Sequence, residues 1–217
     1  NTINGNALAI TGTASTVSHA LDTPKASIPF VRATGSSGAG VSCGWKETSN
    51  FNTSLIQGFD YVFIYSPGDN TASSRGFVGL YGTTGVIPNL DPSTFLFYNV
   101  GLGHDTSDTN LQIMHNDSSG TSTKVSLGAY FPANDNTKVY LLRLRCEPVT
   151  TPVNAVINWK VVELVNKKIA TGVITTNLPH NISTLSSNMT HTIWRNTGSN
   201  VTVPIIDFSK IFLKRLR

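Results

Sequence analysis

The sequence predicts an all-β protein: a single two-sheet antiparallel β-sandwich. Three observations carry that prediction. Charged residues make up only 13% of the 217-residue chain, against a usual ~25%, and Thr, Ser, Asn and Gly supply the missing polarity. Those residues suit strands and turns and are poor helix formers. No window of about 11 residues or more shows a clean helical apolar face. Short β-rich runs instead recur between Gly, Pro, Asn, Asp and Ser clusters, the pattern of a sandwich or barrel.

The first 24 residues read as an N-terminal strand or connector, punctuated by Asn4-Gly5-Asn6 and Thr11-Gly12-Thr13, leading into a sandwich over 25–217. So few residues could not bury a core of their own. The segment Gly35-Ser36-Ser37-Gly38-Ala39-Gly40 reads as flexible. Strands are expected over Phe59–Ser66, Arg75–Tyr81, Thr94–Val100, Asn110–Asn116, Lys124–Tyr130, Lys138–Glu147, Ala155–Val165, Lys168–Thr175, Thr190–Arg195 and Val203–Leu213. Two of them alternate as a half-buried strand must. Tyr140, Leu142 and Leu144 share one face, with Arg143 and Arg145 on the other. Ile157, Trp159 and Val161 point one way, Asn158 and Lys160 the other. Val165-Asn166-Lys167-Lys168-Ile169 reads as a hairpin turn, and Leu178-Pro179 closes the strand that follows.

The net charge is +4, and Lys210, Lys214, Arg215 and Arg217 crowd the C-terminus. A basic tail can meet nucleic acid or an anionic surface. No aromatic-basic interleaving or nucleic-acid motif accompanies it, so a solvated tail is expected. Cys43 and Cys146 lack ligand spacing, which argues against a metal; a disulfide and two buried thiols both remain open. No apolar run approaches the ~18 residues of a membrane span, so no membrane insertion is expected. No signal peptide is expected in residues 1–9. The chain begins at Asn1, which leaves open that it is a piece of a longer protein.

A catalytic constellation is hard to find. No two of His19, His104, His115, His180 and His191 stand in HxxxH or HExxH spacing. A nucleophile elbow, a Walker loop and a dinucleotide fingerprint are all missing. Most carboxylates fall in turns beside Asn, Ser or Gly, where Asp caps backbone N–H groups. The expectation is a protein that is not an enzyme and that works by binding. The most informative stretch is Gly101-Leu102-Gly103-His104-Asp105-Thr106-Ser107-Asp108, continuing through Gln112 to Asn116-Asp117. Its two carboxylates three apart, Asp105 and Asp108, read as a polar rim for a sugar or for Ca²⁺, which wants several oxygen ligands. With EF-hand and RTX spacing missing, an Asx-turn loop ordering a strand entry is the expected reading. A pyranose stacks on a flat apolar ring while its hydroxyls need polar neighbours. Trp45, Trp194, Tyr81 and Tyr98, with His104, Asp105 and Asp108, are therefore the candidate ligand-binding residues. Trp159, with apolar neighbours two residues either side, is expected in the core.

Several segments carry a family resemblance. Arg75-Gly76-Phe77-Val78-Gly79-Leu80 resembles an R-x-[WF]-V-G-L strand. Gly101 to Gln112 resembles G-x-G-x-D-x-x-D-T-N-W-Q, with Leu111 in place of the usual Trp. Thr175-Thr176-Asn177-Leu178-Pro179 resembles T-T-N-[IL]-P. Over roughly residues 41–213 the sequence thus resembles the concanavalin A-like, lectin-like jelly-roll head domains of bacteriophage tail fibres and viral attachment proteins. The resemblance implies a virion part at the particle surface, a homotrimer that binds a host glycan or receptor. It implies neither catalysis nor a fixed set of binding residues. A structural virion jelly roll making oligomer contacts only is the alternative.

Overall fold

The computed structural model describes residues 2–3, 6–11, 13–17, 28, 30–47, 53–82, 89–95, 97–180 and 188–217. The strands, in chain order, begin with β1 (Thr2–Ile3), β2 (Asn6–Thr11), β3 (Thr13–Val17), β4 (Phe30–Thr34), β5 (Ser42–Glu47), β6 (Phe59–Pro67) and β7 (Arg75–Tyr81). After a 3-10 turn at Pro92–Thr94 come β8 (Asn99–His104), β9 (Gln112–Asn116), β10 (Thr123–Ser126) and β11 (Tyr140–Cys146), and a second 3-10 turn follows at Pro152–Asn154. The last four are β12 (Ile157–Glu163), β13 (Lys168–Ile174), β14 (Thr190–Asn196) and β15 (Ile205–Arg215).

They form two antiparallel sheets. One has eight strands in the order β1-β2-β5-β14-β7-β8-β9-β10, the other seven in the order β13-β12-β11-β6-β15-β4-β3. The core lies between them. The expected alternation holds: Tyr140, Leu142, Leu144, Ile157, Trp159 and Val161 are buried, while Arg143, Arg145, Asn158 and Lys160 face out. The N-terminal residues contribute to both layers, β2 pairing with β5 and β3 with β4. Of the described residues, no helix is long and apolar enough to cross a membrane.

Two sequence expectations are corrected. The strand expected over Thr94–Val100 begins only at Asn99 and runs on to His104, because Asp91-Pro92 first turns the chain through a 3-10 helix. Gly101 to His104 is therefore strand and not loop. Its glycines are required there: a Cβ on Gly101 would stand 2.3 Å from the Val78 carbonyl oxygen and 2.6 Å from the Phe77 ring. The basic C-terminal run is also not a tail. Lys210, Lys214 and Arg215 belong to β15, which lies inside the seven-stranded sheet between β6 and β4, with Lys214 opposite Asp60. The strand expected over Val203–Leu213 thus runs over Ile205–Arg215, with a bulge between Phe208 and Ile211 that shifts its register. Both cysteines are free and buried, and burial pushes the Cys43 thiol up to about 12 and Cys146 to about 11.

Candidate functional site: a polar cleft at one end of the sandwich

Four connections converge at one end of the molecule: β6 to β7, β8 to β9, β10 to β11 and β14 to β15. Between the first three lies a cleft of about 520 Å³, lined by Asn70, Ala72, Ser73, Thr106, Ser107, Asp108, Thr109, Pro132 and Asn134. Nearly all of these side chains carry a hydroxyl, amide or carboxylate. The fourth connection braces the rim. Gly198 adopts φ +61°, and a Cβ there would approach the Ser73 carbonyl oxygen to 2.3 Å, so only glycine lets the chain press this close.

The floor is a buried polar network. Arg195, on β14, is 2% exposed. It donates through Nε and Nη2 to the two Asp69 carboxylate oxygens, both at 2.8 Å, and through Nη2 to Asn134 Oδ1 at 3.0 Å. The Asp69 oxygens also accept the Thr71 and Ile205 backbone N–H groups, each at 2.8 Å. Burial alone would raise the Asp69 carboxyl, but the guanidinium and these N–H groups outweigh it and hold the carboxyl below its ordinary value. Asp69 leaves the seven-stranded sheet while Arg195 sits in the other, so the pair joins the two layers beneath the cleft. Asn134 Oδ1 accepts a second bond, from the Ser74 hydroxyl at 2.6 Å. Ser74 Oγ also lies 3.4 Å from His104 Nε2. That contact is no nucleophile pair: the hydroxyl proton is directed to Asn134, and both residues are buried. Burial, aided by the Arg195 charge, holds His104 neutral, well below its ordinary value.

The wall nearest β9 is ordered by carboxylates. Asp108 accepts the Asp105 N–H at 2.9 Å across a turn closed by the Asp108 N–H donating to the Asp105 carbonyl at 3.0 Å; the side chain reaches three residues back, and not two residues on as the expected Asx-turn would. Asp105 accepts the Ser93 N–H at 3.0 Å. Lys124, from β10, places Nζ 2.9 Å from Asp105 and 2.6 Å from Asp108. Burial would lower this ammonium, but the two carboxylates raise it overall.

The other candidates are distributed differently. Trp45 is 4% exposed and tilts against Phe208 at 4.6 Å within the main core. Trp194 is 1% exposed and lies on the far face of the eight-stranded sheet, against Phe95 at 5.6 Å. Tyr81 contacts the same Phe95 at 5.5 Å. The Tyr98 ring covers Gly82, and its hydroxyl donates to the Asn188 carbonyl at 3.1 Å. These four aromatic residues are packing residues, and enclosed rings have no face to offer a pyranose. Of the seven candidates, only Asp108 lines the cleft. Asp105 stands behind it, and His104 is tied to its floor. Asn70, Ser73, Ser107, Thr109 and Asn134 were missed. For Asn70, Ser73 and Asn134 the signal was the Asn/Asp/Ser content of 68–74 and 132–136, which reads as ordinary turn chemistry until the topology brings the turns together; Ser107 and Thr109 lie within the Gly101–Asp117 stretch already singled out.

No protein-family model and no curated protein sequence matches the chain. Solved structures do. The VIP36 exoplasmic/lumenal domain in a Ca²⁺/Man3GlcNAc-bound form is 14% identical with a TM-score of 0.57, covering 97% of this chain and 84% of its own. Lectin I from Ulex europaeus, complexed with the methyl glycoside of α-L-fucose, is 11% identical with a TM-score of 0.56, covering 97% and 92%. A carbohydrate esterase from the Shiga toxin-encoding bacteriophage phi24B is 14% identical with a TM-score of 0.52, covering 97% and 90%. The fold is a lectin-like jelly roll. That likeness concerns the fold alone, since a shared fold does not carry a shared site.

The Ca²⁺ of the VIP36 structure invites a test of fit. Ca²⁺ takes six to eight oxygen ligands. Asp105 and Asp108 instead converge on an ammonium, their remaining bonds come from backbone N–H donors, and no group of three or more His, Cys, Asp or Glu side chains gathers among the described residues. This donor set does not fit the ion.

Proposed function

We propose that this chain is a glycan-binding attachment module, a fibre- or spike-head domain at the surface of a virion that binds a host saccharide and works as a homotrimer. The cleft carries the reading. It presents hydroxyls, amides and a carboxylate, the groups that exchange hydrogen bonds with sugar hydroxyls, and it stands on a buried ion-pair network that needs no reorganisation on binding. Single shallow sites of this kind bind weakly, and a three-fold head multiplies them. Binding proceeds without Ca²⁺, since Lys124 supplies the positive charge between the two carboxylates.

The proposed role is binding without cleavage. Glycoside hydrolysis needs two carboxyl groups flanking one bond. Asp108 lines the cleft but is ion-paired to Lys124, as Asp105 is, while Asp69 is committed to Arg195.

The decisive experiment is a glycan array probed with the chain displayed multivalently, with Ser107→Trp as the blocked control. One or more glycans should bind the wild type and lose the variant. Failure of every glycan to bind, or equal binding by Ser107→Trp, overturns the reading. Light scattering should show three times the 23.3 kDa chain mass, and reducing-sugar release from any bound polysaccharide would refute the non-enzymatic part.

A further inference from the structure

Tyr130 lies outside the cleft lining and takes no part in the network beneath it. It sits in a β-turn closed by the Phe131 N–H donating to the Gly128 carbonyl at 3.0 Å. The residues after it are locked. Phe131 is buried in the core, its carbonyl accepts the Leu111 N–H at 2.8 Å, and the Pro132 carbonyl accepts the Tyr140 hydroxyl at 2.6 Å. The Tyr130 ring alone is left outside, 65% exposed. An aromatic ring held in water on a rigid turn offers a face at little entropic cost, the economy that makes tyrosine frequent in recognition surfaces.

Lys168 places Nζ 4.6 Å from the centroid of that ring. It opens β13, whose first residue pairs with Glu163, which pairs with Tyr140, which pairs with Tyr65 near the end of β6. Tyr130 and Lys168 are therefore at the same end of the sandwich as the cleft, and Pro132 in the cleft wall is only two residues from Tyr130. Lys167 and Lys168 are both exposed.

We propose that Tyr130 and Lys168 extend the cleft into a subsite for an anionic saccharide, an inference that rests on the glycan-binding reading. A pyranose stacks its C–H face on the Tyr130 ring. The long, exposed Lys168 side chain swings from over the ring to meet the carboxylate or sulfate that the same sugar carries. The cation–π contact of the free protein keeps ammonium and ring within the reach of one sugar unit.

The test measures binding of the full chain to polygalacturonate and its carboxyl-reduced form, and to dextran sulfate and dextran. At least one charged polymer should bind about tenfold tighter than its neutral counterpart, and which one does so identifies carboxylate or sulfate. Tyr130→Ala and Lys168→Gln should each remove that preference, while Tyr130→Phe keeps it. Lys160→Gln makes the same charge change at an exposed site on the outer face of the same sheet and should also keep it. Equal binding of charged and neutral polymers overturns the proposal, as does full retention in Tyr130→Ala or an equal loss in Lys160→Gln. Ser107→Trp separates the two readings. If it leaves charged-polymer binding intact while Tyr130→Ala abolishes it, the cleft reading fails and this subsite stands. If neutral glycans bind and lose only Ser107→Trp, the reverse holds.

Discussion

His191 should make the protein acid-labile, and its contribution can be isolated. The ring is 2% exposed between the sheets, and Phe63 packs on it at 4.8 Å. Its Nδ1 meets the Tyr61 hydroxyl at 2.7 Å, and Nε2 has no partner. Burial lowers its pKa to about 3, against ~6.5 in an unfolded chain. The unfolded state therefore takes up the proton first. The stabilisation is fully present above about pH 6.5 and is lost as pH falls towards 3. The interval is about 3.5 units, at about 1.4 kcal/mol per unit, so the full loss is about 5 kcal/mol. That is comparable to the whole stability of many domains. The perturbation is His191→Phe, which removes the titration and keeps a ring in place. At pH 7 it should cost about 1–3 kcal/mol, because the Tyr61 hydroxyl loses its partner; Tyr61→Phe added to it should recover part of that cost. The assay is urea unfolding at pH 7, 6, 5 and 4. His104 and His115 are lowered in the same sense, mainly by burial, so the wild-type slope holds more than one proton. The difference between wild type and His191→Phe isolates this residue and should shrink by about 1.4 kcal/mol per pH unit below pH 6. Parallel curves across that range would refute the reasoning.

Arg195→Met leaves Asp69 buried without its counterion and should cost about 3–5 kcal/mol, read as a fall in urea midpoint. It should also abolish glycan binding in any fraction that stays folded, because Asn134 loses its anchor. Gly101→Ala drives a methyl into the Val78 carbonyl and should cost about 1–3 kcal/mol or more; a thermal midpoint equal to wild type would contradict the packing described. Millimolar Ca²⁺ and EDTA should leave the wild-type midpoint unmoved, since the Lys124 ammonium already stands between Asp105 and Asp108. Lys124→Met, which leaves those carboxylates facing each other, should lower stability by about 1–2 kcal/mol, as measured by urea unfolding.

Most of the sandwich was legible in the residues, for a local reason. A strand half-buried in a sheet must alternate, and Tyr140 to Arg145 and Ile157 to Val161 carry that alternation in the open. Arg75–Tyr81 was read with its observed bounds. The misses also have local causes. Phe30–Thr34 and Ser42–Glu47 are short strands beside glycine-rich turns, and Gly101 and Gly103 look like loop residues until Phe77 is seen lying over them.

The site divides along another line. Sequence alone marked Asp105 and Asp108 as a polar turn before a strand, because an Asp side chain bonding a backbone N–H three residues away is a local event. Long-range packing decided everything else about it. Lys124 meets those carboxylates only because β10 pairs with β9. Asp69 and Arg195 are 126 residues apart and meet because two sheets stack. Trp45 and Trp194 are composed like sugar platforms, yet burying a large aromatic surface is worth more than exposing it, and the fold had room inside for both. Tyr130 is the converse case. Nothing in its neighbours marks it, and it stays in water because Phe131 and Pro132 beside it are held by the core.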